Sequence, residues 1–370
     1  MATRMQTRKP PRRTADTARI RVYTEGDRLY AAMLATIRSA RTSVELESYI
    51  FADDEIGRRF IAALNERAHA GVRVQVQLDA AGSFFWRPGA VQKALVGGGV
   101  QLRWFHRWSW RAPLRYNRRN HRKILVVDGR RGFFGGFNIH RENSRTVYGE
   151  GRWRDTHLEV RGAMAKELQV LFDAFWRRRQ RQSPVSLTSG GNQLITNYSR
   201  RGRRFLHMLF TSKFATAKRT IHLTTPYFVP DYRTRRNLMR AARRGVDVRL
   251  LVPRKNNEAL AQWAAHAAYA NLLAAGVHIH EYLPRMLHAK TLVVDGVWSS
   301  VGTANLDYRS FFLNYELNLA SEDPALARTL ERQFRQDLAQ SDLIRPRRWA
   351  QRSWLLRPLE LIGWAGRHWL

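Results

Sequence analysis

The chain has 370 residues, of which 44% are hydrophobic and 11% aromatic. This composition excludes a wholly disordered chain, and the length is sufficient for two or three domains with cores of their own. The 64 Lys and Arg residues outnumber the 30 Asp and Glu residues, so the formal net charge is +34 and an anionic partner is expected, either nucleic acid or an acidic membrane surface. The absence of cysteine excludes disulfides, thiolate catalysis and cysteine-type metal sites.

The beginning of the chain does not read as a targeting segment. Residues 1–18 are rich in Arg, Thr and Pro and lack the apolar stretch of a signal peptide, so they are predicted to form a basic disordered tail. The most apolar long window, 259–277, is interrupted by Gln262, His266 and Asn271. No membrane-spanning helix is therefore predicted.

The predicted elements recur in the same order in two halves of the chain. The first half reads as a strand at 43–51, a helix at 56–70 and an alternating strand at 71–79; the second half repeats them at 220–228, 233–244 and 245–252. Each half then continues through a helix and a Gly-containing turn into a further strand. Strands that alternate with helices indicate βαβ units, so the predicted fold class is α/β, with two similar α/β/α domains.

Local composition sets the predicted domain limits. Residues 176–193 contain an Arg run followed by Pro and Gly, which interrupt regular secondary structure, and they mark the junction of the two halves. We place the first domain at 19–182, a linker at 183–193 and the second domain at 194–343. Residues 344–370 form a basic aromatic C-terminal segment.

A motif in each half carries the chemistry. The first half contains HRKILVVDG, from His121, and the second contains HAKTLVVDG, from His288. A Gly-containing turn then leads to Asn138 or Asn305, and the separation from His to Asn is seventeen residues in both halves. An identical spacing of His, Lys, Asp and Asn indicates a duplicated functional unit rather than a chance match.

Strand alternation separates the motif residues into two sets. His121 and Lys123 point the same way on a strand, as do His288 and Lys290. The Asp of each motif lies an odd number of positions after the His and so faces away from it. Asp128 and Asp295 are kept among the candidate catalytic residues as members of the motif, but holding the strand end suits them better than touching a substrate.

If the two halves pack face to face, the two motifs form one symmetric site suited to displacement at a phosphodiester. One imidazole attacks phosphorus to give a phosphohistidine, and the other protonates the leaving alcohol. The non-bridging oxygens would be held by the cations and amides of both motifs, namely Lys123, Lys290, Asn138 and Asn305. Because the two lysines supply positive charge, no metal and no other cofactor is expected.

The duplicated H-x-K-x4-D motif, followed by GGFN or GTAN, resembles the phospholipase D superfamily. The phrases ESYIFADDEIG, WRDTHLEVRG, TPYFVPDYR and FLNYELN are similar to those of bacterial cardiolipin synthases of the type without an N-terminal membrane anchor. The resemblance covers residues 20–341. It implies two phospholipase D-like domains with a shared active site at their interface, and transfer of a phosphatidyl group from phosphatidylglycerol to a second phosphatidylglycerol, with release of glycerol.

The resemblance also implies individual roles. His121 would be the nucleophile and His288 the general acid and base, an assignment that the near-symmetry of the motifs does not decide. Carboxylates at Asp155 and Glu316 would orient the imidazoles in crossed pairs, Glu316 with His121 and Asp155 with His288. The implied location is peripheral, on the cytoplasmic side of the bacterial cell membrane.

Other functions stay open at this level. A hydrolytic phospholipase D, a metal-independent nuclease of the same superfamily and a catalytically silent basic scaffold all fit the charge, although no specific nucleic acid partner is expected. The acceptor could be phosphatidylglycerol, phosphatidylethanolamine, a polyol or water, and the oligomeric state is not predicted. Two stretches that mix Trp with Arg, 102–119 and 345–370, are predicted to contact a membrane interface, the alternative being that their Trp residues cap the core.

Overall fold

Two mixed β-sheets, one from each half of the chain, organise the molecule. The computed structural model of the protein describes residues 20–111, 113–179, 184–189, 191–352 and 357–366, so the predicted tail 1–18 lies outside the described residues. The strands of the first half are β1 (Arg21–Tyr23), β2 (Ser43–Ser48), β3 (Arg73–Asp79), β4 (Gln101–Phe105), β5 (Ile124–Val127), β6 (Arg131–Gly135) and β7 (His157–Arg161). Its helices are α1 (Gly26–Arg38), α2 (Glu55–His69), α3 (Pro88–Gly97), α4 (Pro113–Tyr116), α5 (Arg145–Tyr148) and α6 (Ala163–Trp176), with short 3₁₀ turns at Arg141–Asn143 and Gly149–Gly151.

The second half follows the same plan with additions. Its strands are β8 (Ser186–Ser189), β9 (Asn192–Thr196), β10 (Thr220–Thr224), β11 (Phe228–Val229), β12 (Asp247–Pro253), β13 (His278–Tyr282), β14 (Thr291–Val294), β15 (Trp298–Gly302), β16 (Leu306–Asp307), β17 (Leu317–Ser321) and β18 (Ser341–Leu343). Its helices are α7 (Arg200–Thr216), α8 (Tyr232–Arg243), α9 (Ala259–Ala274), α10 (Tyr308–Phe312), α11 (Pro324–Leu338), α12 (Pro346–Ala350) and α13 (Arg357–Ala365).

The two sheets share one strand order. The first runs β1-β7-β6-β5-β2-β3-β4, and the second runs β9-β17-β15-β14-β10-β12-β13, with β8 and β18 added at its two edges. In each sheet three strands are parallel, β2-β3-β4 and β10-β12-β13, and the remaining pairs are antiparallel. The predicted α/β class and the internal duplication are both confirmed.

The junction between the halves contains strands. Strand β8 and the first residues of β9 fall within the segment predicted as a linker, 183–193, and both belong to the second sheet. Backbone pairing between β8 and β9 satisfies the polar groups of this segment. The domain limits of 19–182 and 194–343 stay a prediction.

The motif strands β5 and β14 lie in the middle of the molecule. Val126 of β5 and Leu158 of β7 pack in one buried cluster with Val293 of β14 and Leu319 of β17, so the two sheets face each other. Strands covered on both faces require continuous apolar runs, which explains the sequences ILVV and TLVV. This packing brings the first residues of the two motifs to one end of the interface between the halves.

The C-terminal segment packs against the second half where it is described. Trp349 contacts the rings of His266 and Tyr269 on α9, and Trp364 packs on the same core. Helix α13 approaches α9 so closely that a Cβ on Gly363 would lie 2.6 Å from the backbone nitrogen of Ala264. These two Trp residues cap the core, which is the alternative to the membrane contact predicted for this segment. None of the described helices has the length and apolar character needed to cross a bilayer.

Candidate active site

Backbone hydrogen bonds between the halves set the geometry of the site. The amide of His121 donates to the carbonyl of Tyr315 at 3.0 Å, and the amide of His288 donates to the carbonyl of Arg154 at 2.7 Å. Tyr315 and Arg154 immediately precede the two predicted carboxylates. Each motif histidine therefore enters the interface beside the carboxylate of the other half.

The side chains form crossed imidazole–carboxylate pairs. Nδ1 of His121 lies 3.0 Å from Oε2 of Glu316, and Nδ1 of His288 lies 2.6 Å from Oδ2 of Asp155. All four side chains are more than nine-tenths buried. This is the crossed arrangement that the resemblance implied. A carboxylate that accepts from Nδ1 selects the tautomer in which Nε2 carries the lone pair, the form required for attack on phosphorus.

The two lysines lie with the histidines in the buried cluster. Nζ of Lys123 donates to the carbonyl of His121 at 2.7 Å, and Nζ of Lys290 donates to the carbonyl of His288 and lies 4.0 Å from Oδ2 of Asp155. Burial, and then the charge of Lys290, lower the pKa of Lys123 to about 7. Burial also lowers the pKa of Lys290 to about 8. Because both lysines are buried and the charge of Lys290 disfavours that of Lys123, an anion bound at this cluster would stabilise both ammonium forms.

Burial also affects the protonation states of the two histidine–carboxylate pairs. Desolvation lowers the pKa of His121 and of His288, so both imidazoles are neutral at pH 7 in the free protein. Burial opposes ionisation of Asp155, but Lys290 and His288 outweigh it and lower the pKa of this carboxyl. A bound phosphodiester would add negative charge and so favour protonation of one imidazole.

The two motif asparagines are buried beside the histidines' strands. Asn138 accepts a hydrogen bond at Oδ1 from the backbone amide of Ile50, at 3.1 Å. The backbone amide of Asn305 donates to the hydroxyl of Ser310, at 3.1 Å, and Oδ1 of Asn305 has no hydrogen-bond partner among the described residues. The Gly-rich turns thus place one amide side chain from each half at the same end of the interface.

Asp128 and Asp295 are not brought into this cluster. Both adopt left-handed backbone conformations, with φ of 53° and 55°, at the opposite end of the motif strand from the histidine. Their carboxylates accept from the backbone amides of Arg41, Thr42 and Ser43 in the first half and of Lys218, Arg219 and Thr220 in the second. They hold the beginning of the neighbouring strand, the role that strand alternation favoured.

Several side chains that support the site were outside the predicted set. The hydroxyl of Thr303 donates to Oε2 of Glu316 at 2.5 Å and accepts from the amide of Leu317 at 3.0 Å. The ring centroids of Trp153 and His288 lie 5.0 Å apart. Trp153 stands in an irregular segment, and no spacing in the sequence points to it.

A buried ion pair lies beneath the first motif. Arg122 alternates away from His121 and lies against Glu47, with Nη2 to Oε1 at 2.5 Å, while its guanidinium stacks on Phe175 at 3.6 Å. The same guanidinium donates to the hydroxyl of Tyr198, which belongs to the second half. The corresponding residue of the second motif is Ala289, so only the first motif has such a support.

Comparison with known proteins identifies relatives over most of the chain. The family model described as "Cardiolipin synthase, PLD-like domain" matches residues 33–176 and 210–338. The chain is 34% identical to a probable cardiolipin synthase of Bacillus subtilis, over 88% of this chain and 67% of that protein, and 34% identical to a cardiolipin synthase of Staphylococcus aureus, over 90% and 70%.

Among solved structures, phosphatidylserine synthase of Haemophilus influenzae matches with a TM-score of 0.71 at 12% identity, over 95% of both chains. Polyphosphate kinase of Porphyromonas gingivalis matches with a TM-score of 0.64 at 13% identity, over 88% of this chain and 48% of that one. These likenesses define a two-domain phospholipase D-like fold. The sequence matches are more specific, and the chain belongs to the phospholipase D-like cardiolipin synthase family.

Proposed function

We propose that this protein is a phosphatidyltransferase of the cardiolipin synthase type. It takes a phosphatidyl group from phosphatidylglycerol, releases glycerol, and transfers the group to a second phosphatidylglycerol through a phosphohistidine intermediate. The observation that carries the proposal is the pair of crossed imidazole–carboxylate contacts, His121 with Glu316 and His288 with Asp155, made across the interface of the halves. Such a pair suits one imidazole to nucleophilic attack and the other to proton transfer.

In the first step, Nε2 of His121 forms a bond to phosphorus and the bond from phosphorus to the glycerol oxygen breaks. Protonated His288 gives its proton to that oxygen, so the leaving group departs as glycerol rather than as an alkoxide. Glu316 stabilises the positive charge that develops on His121. Lys123 and Lys290 stabilise the negative charge on the non-bridging oxygens, and Asn138 and Asn305 complete their binding.

In the second step, His288 is neutral and takes a proton from a hydroxyl of the second phosphatidylglycerol. The oxygen of that hydroxyl attacks phosphorus, and the bond from phosphorus to Nε2 of His121 breaks. Cardiolipin forms and His121 is restored, with His288 protonated; this proton is lost when the product leaves and is regained when the next anionic phosphodiester binds. No proton is gained or lost over the two steps, so the cycle closes.

The protein is proposed to act at the cytoplasmic surface of the bacterial cell membrane, where both lipid substrates would be found. The net charge of +34 supports attachment to an anionic lipid surface. Each basic residue near an anionic leaflet contributes about 1 kcal/mol, so a few suffice for peripheral binding.

The products of the purified protein on vesicles of labelled phosphatidylglycerol test this function. Cardiolipin with free glycerol is the expected result. Phosphatidic acid in place of cardiolipin would identify a hydrolytic phospholipase D. Inertness toward the lipid, together with nicking of DNA, would identify a nuclease.

A substrate with a p-nitrophenol leaving group distinguishes the roles of the two histidines. This leaving group departs without a general acid, so a His288→Asn variant is expected to release a burst of p-nitrophenol equal to the protein concentration and then to stop. A His121→Asn variant should give no burst. The opposite pattern would assign the nucleophile to the second motif.

His222 offers a matched control for these variants. It is buried and its Nδ1 lies 2.9 Å from a carboxylate oxygen of Glu331, the same kind of pair as in the site, but its ring stacks on Phe334 rather than on a motif residue. A His222→Gln variant should keep the full yield of lipid product. A loss as large as that of His121→Asn would mean that the assay reports folding rather than catalysis.

A further inference from the structure

The connections that border the site differ between the halves. The carboxyl ends of β2, β3 and β4 lie at the same sheet edge as His121, because β5 begins beside the end of β2. The connection from β4 to His121 is fifteen residues long, 106–120, whereas the matching one from β13 to His288 has five, 283–287. Its neighbour after β3, residues 80–87, is also longer than the matching 254–258. We call residues 80–87 and 106–120 the first-half rim.

The first-half rim exposes large aromatic side chains. Phe84 is 61% and Phe85 88% exposed, and Trp108 is 65% and Trp110 77% exposed. Phe84 and Phe85 lie edge to face with ring centroids 5.1 Å apart. Clustered exposed aromatic side chains of this size are unusual on a protein surface that faces only water.

The rim is anchored to the catalytic motif. Asp79, at the end of β3, accepts from the backbone amide of Asn120 at 2.8 Å and pairs with Arg119 at 3.3 Å. Asn120 immediately precedes His121. Strands β3 and β4 lie two and three positions from β5, so the rim lies about 10 to 15 Å to one side of the motif.

The charge of the rim has one sign. Residues 80–87 and 106–120 contain six arginines and no Asp or Glu. The guanidinium of Arg111 lies over the ring of Trp110 at 5.0 Å, and that of Arg107 lies over the ring of Trp104 at 5.5 Å. Trp and Arg together are the residues that bind the headgroup level of a bilayer, the ring among the carbonyls and the guanidinium on a phosphate.

We propose that the first-half rim is the surface by which the protein docks on an anionic lipid bilayer. Phe84, Phe85, Trp108 and Trp110 enter the interfacial layer, and a lipid headgroup reaches the two histidines from this side. The exposed rim arginines Arg107, Arg111 and Arg118 contact lipid phosphates. The choice of a bilayer as partner rests on the proposed function. The described C-terminal segment is the weaker candidate, because Trp349 and Trp364 pack against α9 and the second-half core.

Vesicle binding by paired variants tests the surface directly. Trp108→Ser with Trp110→Ser, and separately Phe84→Ser with Phe85→Ser, should each reduce partition onto vesicles of phosphatidylglycerol and phosphatidylethanolamine by about tenfold. The matched control is Leu361→Ser with Ile362→Ser on α13, an apolar pair that is 67% and 55% exposed and should leave the partition unchanged. Unchanged binding by both rim variants, or a loss confined to the control, would overturn the proposal.

Turnover on two forms of the substrate separates docking from catalysis. The rim variants should lose about tenfold in rate on vesicles and nothing on monomeric short-chain phosphatidylglycerol, which also shows that they are folded. A His121→Asn variant should bind vesicles as the unchanged protein does. Because binding is measured without turnover, a protein that yields no lipid product would count against the proposed function and not against the docking surface.

Loss of single-stranded DNA binding by the rim variants, with vesicle binding intact, would identify a nucleic-acid surface instead and overturn the proposal.

Discussion

The candidate active site and the first-half rim that borders it differ in how closely the two halves of the chain match. At the centre the two halves match: each supplies one imidazole, one ammonium, one amide and one carboxylate, and each carboxylate serves the histidine of the other half. At the rim they differ, since only the first half has the long aromatic and basic connections. The proposed displacement at phosphorus requires groups on both sides of one atom, which two matching motifs supply. A flat membrane imposes no such requirement.

The centre itself is not perfectly symmetric. His121 pairs with a glutamate whose position is set by Thr303, whereas His288 pairs with an aspartate that lies 4.0 Å from Nζ of Lys290. The charges of Lys290 and His288 lower the pKa of Asp155 and keep this carboxylate ionised, but burial and the same ammonium lower the pKa of His288 to about 3. The division of roles between the two histidines therefore rests on the family resemblance, and the variants proposed for them test it.

The largest expected effect comes from breaking the crossed pairs. Glu316→Gln and Asp155→Asn should each lower kcat on phosphatidylglycerol by about 10³- to 10⁴-fold, because each change removes the group that orients one imidazole and stabilises its cation. With a p-nitrophenol leaving group, the burst rate of Asp155→Asn should recover and that of Glu316→Gln should not. Equal recovery of both would contradict the division of roles. Glu331→Gln, at the partner of His222, is the control.

The next largest effect is on stability, and it concerns the buried ion pair that only the first motif has. Arg122→Met should lower the free energy of unfolding by about 3–5 kcal/mol, because it leaves the buried carboxylate of Glu47 without its partner. Combining it with Glu47→Leu should restore part of that loss. Urea unfolding followed by circular dichroism measures both. A loss below about 1 kcal/mol for the single variant would mean that Glu47 is protonated or solvated when alone.

How much of the fold and of the candidate site could be predicted depends on how far apart in the sequence the interacting residues lie. The identical spacing of the two motifs and the period-2 pattern of ILVV and TLVV predicted the paired sheets, the buried strands and the common face of His and Lys. Alternation also placed Asp128 and Asp295 away from the histidines. These features depend on residues near in sequence.

Contacts across the interface could not be derived in that way. The crossed pairing of His121 with Glu316 joins residues 195 positions apart, and only the family resemblance suggested it. The different lengths of 106–120 and 283–287 are visible in the sequence, but their meaning depends on which sheet edge they border. Likewise, the apolar and aromatic character of 345–370 fits a membrane or a core equally well, and the packing of Trp349 on α9 distinguishes the two.

A smaller effect should appear in the pH dependence, and it compares the two lysines. Burial lowers the pKa of Lys123 to about 7 and of Lys290 to about 8, so the charged forms are lost as pH rises through these values. On monomeric substrate kcat/KM should therefore fall above pH 7, by up to about tenfold per pH unit for each ammonium that is required.

The decline in kcat should begin at a higher pH than the decline in kcat/KM, because a bound phosphate anion stabilises both ammonium groups. Lys123→Arg keeps its charge at all these pH values, so the part of the decline that begins near pH 7 should disappear, whatever the variant's absolute rate. A profile of kcat/KM for the unchanged protein that is flat from pH 6.5 to 9 would contradict these pKa values.

The smallest effect tests the one pair of motif residues that lies outside the site. Asp128→Ala and Asp295→Ala should each lower the free energy of unfolding by about 1–2 kcal/mol, since three backbone amides at the beginning of β2 or β10 lose their acceptor. Hydrogen bonds to the ionised form lower the pKa of both carboxyls below the ordinary 3.8. Their contribution should therefore be complete above about pH 4 and decline as the pH falls below it. Asp128 accepts in addition from the hydroxyl of Thr42, so the loss for Asp128→Ala should be equal to or greater than that for Asp295→Ala, and kcat per folded molecule should not change. A large loss of kcat without loss of stability in either variant would return that aspartate to the catalytic set.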